Sequence, residues 1–232
     1  MSKDRFLHAS SAALVTLVIG LACTAAAQNA PNAPTPDAQR GAIIAAQGVP
    51  PSAPACAQCH GFNGTSDGSG AFPRIAGQGS FYLEEQLRDF ASGVRVNAVM
   101  SPIAKAMSAR DIADVAAYYA KQDAPFPPLP KPAEALVKAG LQFAREGNEK
   151  RKIQACNDCH GPEGAGELPA VPYLAGQYAG SIAFELHMWK SGYRKNSPDS
   201  MAVIARELTE DEIAAISAYY QQVRSADAAV LR

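Results

Sequence analysis

Leu83, Leu87 and Phe90 stand four and three residues apart, and Ile182, Leu186 and Trp189 repeat the spacing 99 residues later. Apolar side chains so spaced share one face of an α-helix. They predict central helices from Ser80 to Ala91 and from Gly180 to Lys190. Further helices are predicted from Asp37 to Gln47 and from Ala133 to Arg145, and closing helices from Ser108 to Lys121 and from Thr209 to Arg224. Ser108 precedes Asp111 by three residues, as Thr209 precedes Glu212. At that spacing a hydroxyl and an acid satisfy the free N–H groups of a helix start. No period-two alternation is long enough for a strand of consequence, so the expected fold is all-α.

The pattern is a tandem repeat. Phe72-Pro73-Arg74-Ile75-Ala76-Gly77-Gln78 returns as Val171-Pro172-Tyr173-Leu174-Ala175-Gly176-Gln177, and Ser92-Gly93 as Ser191-Gly192, at an offset of 99. Asp111 to Tyr119 returns as Glu212 to Tyr220 at an offset of 101, so two residues are inserted in a loop between these segments. Residues 124–132 hold five prolines in nine positions, which favours a stiff extended strap. The predicted domains are therefore residues 38–123 and 133–225, joined by the strap at 124–132, with a frayed tail at 226–232.

The chain opens with Lys3, Arg5 and His8, then an apolar run from Ala12 to Ala22 and the small residues Ala25-Ala26-Ala27. This is the layout of a secretory signal, expected to span residues 1–27, with a flexible leader at 28–37. The run is short for a membrane span. Gly20 stands where a lipoprotein signal has Leu, so Cys23 is expected to leave with the peptide. The expected location is the periplasm. The net charge of −1 and the lack of a basic run exclude a nucleic-acid-binding protein.

Four of the five cysteines fall in two words, Cys56-Ala57-Gln58-Cys59-His60 and Cys156-Asn157-Asp158-Cys159-His160, 100 residues apart. Cys-x-x-Cys-His is the spacing of c-type haem attachment: both thiols add to the porphyrin and the adjacent His becomes an iron ligand. Two covalently bound haem c groups are expected, tethered at Cys56, Cys59, Cys156 and Cys159, with His60 and His160 as axial ligands. A large apolar cofactor would also complete the core of each small unit. A thioredoxin-like site would need a strand leading into the motif, and neither motif has one. A zinc site would be one ligand short in each copy.

The second axial ligand must come from elsewhere, and Met100, Met107, Met201 and the pair His187-Met188 compete. Met100 aligns with Met201, about 40 residues after each haem His, in loops before a helix. Met107 aligns with Leu208 and reads as packing. His187 and Met188 align with Arg88 and Asp89 and fall off the apolar stripe, which reads as a solvated face. Met100 and Met201 are therefore the expected ligands.

Cys-x-x-Cys-His, a Pro-x-x-Ala-Gly-Gln loop, a ligand Met and a closing helix ending in Ala-Tyr-Tyr resemble class I c-type cytochromes, and the tandem arrangement is similar to the di-haem cytochrome c4 group. The resemblance covers nearly all of the chain beyond the leader. It implies two tandem cytochrome c-like domains that face each other across a pseudo-twofold. It also implies that the carbonyls of Pro73 and Pro172 accept the proximal imidazole protons, and that Gly41 and Gly140 lie near the paired tyrosines. Pro73 lies 13 residues after His60 and Pro172 lies 12 after His160. The first copy also departs from the pattern at Val49 to Pro54, a loop expected to sit differently.

With both axial positions filled, the expected activity is one-electron transfer rather than catalysis. The expected partners are transient redox proteins, such as a membrane cytochrome complex, a terminal oxidase or a periplasmic dehydrogenase. Peripheral association with a membrane is compatible with this. The alternatives are an electron-accepting subunit of a periplasmic dehydrogenase and, further off, a di-haem peroxidase or thiosulfate-oxidising enzyme, which would need an open or displaceable iron ligand.

Overall fold

The computed structural model describes residues 35–224. The expected signal peptide, most of the leader and the tail lie outside the described residues. Those described form ten α-helices: α1 (Ala38–Gln47), α2 (Ala57–His60), α3 (Ser80–Ser92), α4 (Met100–Lys105), α5 (Ala109–Ala120), α6 (Glu134–Glu146), α7 (Cys156–His160), α8 (Ala179–Lys190), α9 (Met201–Glu207) and α10 (Glu210–Gln222). Among the described residues the only β pairing is in isolated bridges. The six longer helices match the periodicity to within a residue or two at each end. Both capping boxes form, Ser108 with Asp111 and Thr209 with Glu212. The short helices α2, α4, α7 and α9 escape a periodicity reading because one or two turns carry too few apolar repeats. Met100 and Met201, expected in loops ahead of a helix, are instead the first residues of α4 and α9.

Within each copy the first and last helices pack together, α1 on α5 and α6 on α10. The crossings need glycine. A Cβ on Gly41 would lie 2.0 Å from the carbonyl oxygen of Asp114, and one on Gly140 would lie 2.0 Å from that of Ala215. Around the first crossing Ile44, Ala45, Val115, Tyr118 and Tyr119 form a core. Around the second, Phe143, Ala144, Ile213, Ile216 and Tyr220 do the same. The proline strap is packed down: Arg74 donates to the carbonyls of Ala124 and Pro125, and its guanidinium lies 4.4 Å from the Phe126 ring centre.

The two copies exchange equivalent hydrogen bonds, as an approximate twofold requires. Gln177 pairs with the main chain of Arg74, and Gln78 pairs with the main chain of Tyr173. Arg95 and Arg194 form a bridge, with Val96 N–H donating to Tyr193 and Lys195 N–H to Val94. Beside it both guanidiniums engage Glu185 and the Gln86 side-chain oxygen. Every pair here repeats at the offset of 99. The two inserted residues fall between Arg194 and Met201, just beyond the seam, where a change in length leaves the paired register intact.

Burial by itself would raise the Glu185 carboxyl, but the charges of Arg95 and Arg194 hold it below the ordinary glutamate value of 4.5. A carboxylate depressed in the folded state contributes stability above its unfolded pKa and loses it as pH falls through the folded one. The seam is therefore expected to weaken as the medium is acidified below 4.5. In acid titrations followed by unfolding, Glu185→Gln should show a flatter loss of stability over this range. An unchanged acid limb would remove Glu185 from the account.

Candidate functional site

Cys56 immediately precedes α2 and Cys156 opens α7, so each motif winds into one helical turn. Residues three apart on a helix share a face, which brings the two cysteines of each motif together and leaves the His at the helix end. None of the four is joined in a disulfide. Burial pushes the Cys56 and Cys156 thiols up to about 11. A redox-active Cys-x-x-Cys is activated by a lowered thiol pKa, and Cys56 and Cys156 are shifted the other way.

His60 and His160 are both buried. Nδ1 of His60 donates to the carbonyl of Pro73 at 3.1 Å, and Nδ1 of His160 to that of Pro172 at 2.8 Å. A carbonyl only accepts, so Nδ1 carries the proton and Nε2 keeps its lone pair. Burial pulls both imidazoles below their ordinary pKa, with the proline carbonyls drawing them partway back. Each ring is thus neutral, oriented and ready to ligate a metal. The unequal spacing of the prolines is absorbed locally. Ser66 N–H bonds to the His60 carbonyl and Gly166 N–H to that of His160, while Ile75 and Leu174 return to Gly64 and Gly164. The extra residue of the first copy sits between Ser66 and Ile75. The loop at Val49 to Pro54 is closed at its base by a Val49–Ala53 bridge, as an Asn148–Ile153 bridge closes its counterpart, but it is one residue shorter and lacks the 3-10 turn at Glu149–Arg151.

One cavity of about 1130 Å³ runs through both copies, above the roughly 300–1,000 Å³ of a single small-molecule site. Its lining includes Cys56, Cys59, His60, Pro73 and Met100 from the first copy and Cys156, Cys159, His160, Pro172 and Met201 from the second. All ten residues singled out by sequence are therefore gathered on it. Apolar walls such as Leu83, Leu87, Ile182, Leu186 and Trp189 complete it. Thiol pairs, an oriented imidazole, a thioether and an apolar enclosure in each copy are the fittings of a covalently held haem.

Of the competing ligands, position sets aside the pair His187-Met188. Met107 lines the cavity but packs into the core of the first copy, and its counterpart Leu208 is buried. His187 is exposed, faces Glu210 at 3.4 Å, and with Met188 lies off the cavity. Among the described residues no cluster of three or more His, Cys, Asp or Glu could hold a bare metal ion. No described helix is long and apolar enough to cross a membrane.

Sequence reasoning missed the polar seam of Gln86, Arg95, Glu185 and Arg194, whose members also line the cavity. The repetition of Arg95 as Arg194 at the same offset as the Pro-x-x-Ala-Gly-Gln loop is the signal that could have found it.

The cytochrome c family model matches residues 38–122. Over 177 residues the chain is 40% identical to the thiosulfate dehydrogenase electron acceptor of Stutzerimonas stutzeri, covering 76% of this chain and 82% of that one. It is 36% identical over 221 residues to cytochrome c4 of Azotobacter vinelandii, covering 90% and 97% of the two. The crystal structure of reduced cytochrome c4 from Pseudomonas stutzeri superposes with a TM-score of 0.71 at 31% identity, over 82% of this chain and all of that one. The thiosulfate dehydrogenase TsdBA of Marichromatium purpuratum gives 0.74 at 35% identity over 80% of this chain, which spans only 40% of that longer protein.

Proposed function

This chain belongs to the cytochrome c4 family of di-haem class I c-type cytochromes, and on that premise we propose how its residues serve as a periplasmic one-electron carrier. The reading has two domains, residues 38–123 and 133–225, joined by the strap at 124–132. Cys56, Cys59, His60 and Met100 serve one haem, and Cys156, Cys159, His160 and Met201 the other. What carries this assignment is the convergence of all ten candidate residues on one apolar cavity.

When bound, haem c supplies a one-electron iron couple. The cysteines fix its place, so the chain need not reorganise to keep it. His60 and His160, locked by Pro73 and Pro172, present Nε2 in one orientation. Met100 and Met201 offer a soft thioether that favours the reduced metal and so raises the potential relative to a pair of histidines. With His60 and Met100, and His160 and Met201, as the donors that would hold the two irons, no coordination site would be left open to a substrate. The apolar walls keep water away, and the seam fixes one copy against the other so that both centres keep a constant relation.

The electron donor we propose is a periplasmic dehydrogenase of the thiosulfate-oxidising kind, and the acceptor a terminal oxidase or other respiratory complex. The likeness to thiosulfate dehydrogenase electron acceptors supports this donor and also favours a second reading, in which the chain is a dedicated subunit of such a dehydrogenase. Purification from the native cell separates the two: a carrier comes away free, a subunit comes with its enzyme.

Met201→Ala tests the ligand assignment. It is expected to remove the red-edge sulfur-to-iron absorption band of one haem, lower that haem's potential and leave both haems attached. An unchanged spectrum and unchanged potentials would show that Met201 is not a ligand.

A further inference from the structure

The acceptor of each histidine belongs to a peptide group whose other end is held by the opposite copy. The Pro73 carbonyl and the Arg74 N–H are two ends of one amide. The carbonyl accepts from Nδ1 of His60, while the N–H donates to Oε1 of Gln177 at 2.9 Å. Nε2 of Gln177 then donates to the Arg74 carbonyl at 2.8 Å. The second copy mirrors this. The Pro172 carbonyl accepts from His160, the Tyr173 N–H donates to Oε1 of Gln78 at 3.1 Å, and Nε2 of Gln78 donates to the Tyr173 carbonyl at 3.3 Å. Chemistry fixes both side-chain amides in this orientation: a main-chain N–H only donates and a carbonyl only accepts, so turning either amide round would break both bonds.

We propose that Gln78 and Gln177 are positioning residues that act crosswise, each tuning the iron centre of the copy it does not belong to. The proposal rests on His60 and His160 being haem ligands. An amide whose N–H is engaged is more polarised, so its carbonyl is a stronger acceptor. A stronger acceptor draws on the Nδ1 proton and makes the opposite ring nitrogen a more basic ligand. A more basic imidazole favours the oxidised, more positive iron. Gln177 therefore holds down the potential of the haem at Cys56 and Cys59, and Gln78 that of the haem at Cys156 and Cys159. The arrangement also carries a change in either histidine's hydrogen bond into the side chain of the other copy.

The test uses Gln177→Met and Gln78→Met in the full haem-loaded chain, with a potential measured for each haem by redox titration and NMR signals assigned to each copy. Methionine fills similar volume without either bond. Gln177→Met is expected to raise the potential of the first haem and leave the second nearly unchanged. Gln78→Met should do the reverse with a smaller shift, because its bonds are longer. Equal shifts of both haems would mean general loosening of the seam and would overturn the proposal, as would a shift confined to the variant's own copy or no shift. Should the variants fail to assemble, hydrogen exchange at the Arg74 and Tyr173 amides of the unaltered protein decides: slow exchange supports the link, and exchange as fast as in an open loop rejects it. Loss of His/Met ligation in the unaltered protein's spectra would instead sink the ligand assignment, so the two failures are distinguishable.

Discussion

Replacing Cys159 by Ser is expected to reduce the yield of protein carrying a doubly tethered second haem to a small fraction of normal. The first haem should still attach, because Cys56, Cys59 and His60 lie on a separate helical turn. The cause is covalent and then structural. One thioether is lost outright. The walls it helps to fill are also core: Ile182, Leu186, Trp189, Leu208 and Ile216 are buried and line the cavity together. A unit of this size has little other apolar contact to spare, so folding and cofactor capture are coupled. Met201→Ala removes a ligand but no tether and should mature far better. Mass spectrometry of the exported variants checks both. A normal yield of the doubly tethered second haem in Cys159→Ser would refute the attachment site.

Gly140→Ala is expected to destabilise the haem-loaded protein by about 3 kcal/mol or more, at the upper end of overpacking costs. The new methyl would meet the Ala215 carbonyl oxygen at 2.0 Å and the Tyr219 Cβ at 2.7 Å, both on or next to helical backbone that cannot swing aside. The α6–α10 crossing would have to open, and with it the wall that holds Tyr220. Gly192→Ala is the useful contrast. Gly192 also carries no side chain, but nothing lies within 4 Å of a Cβ placed there. Its cost is only that of a left-handed conformation (φ 79°), about 1 kcal/mol. Chemical denaturation of the two variants should give the larger loss to Gly140→Ala. Similar losses would show that close helix contact is not what this glycine provides.

Much of this was legible in the sequence because the chain states it twice. The apolar stripe of α3 and α8, the capping boxes and the Cys-x-x-Cys-His words are local patterns with local causes, and a second copy separates signal from accident. The same comparison sets Met107, His187 and Met188 apart from Met100 and Met201; the fold places His187 and Met188 off the cavity and Met107 on it. The hydrogen bonds to Pro73 and Pro172 were expected through the family likeness, and a difference of one residue in spacing did not disturb them.

What escaped was non-local. Nothing local in the sequence marks Arg95 and Arg194, which the fold buries around Glu185. Gln78 and Gln177 were visible as the end of a repeated loop, but their partners lie about a hundred residues away in the other copy. The loop from Val49 to Pro54 looked irregular because of its prolines, yet two main-chain bonds to Ala53 close it like its charged counterpart. Short helices such as α4 and α9 are set by tertiary packing, which no periodicity within six or seven residues can report.

The most direct test of the account is an intact mass of the mature protein together with its oxidised and reduced optical spectra. The account predicts a polypeptide heavier by two haem groups that survive denaturation, and spectra of low-spin iron with a sulfur ligand in both centres. A colourless protein of bare polypeptide mass, or an iron open on one side, would contradict it.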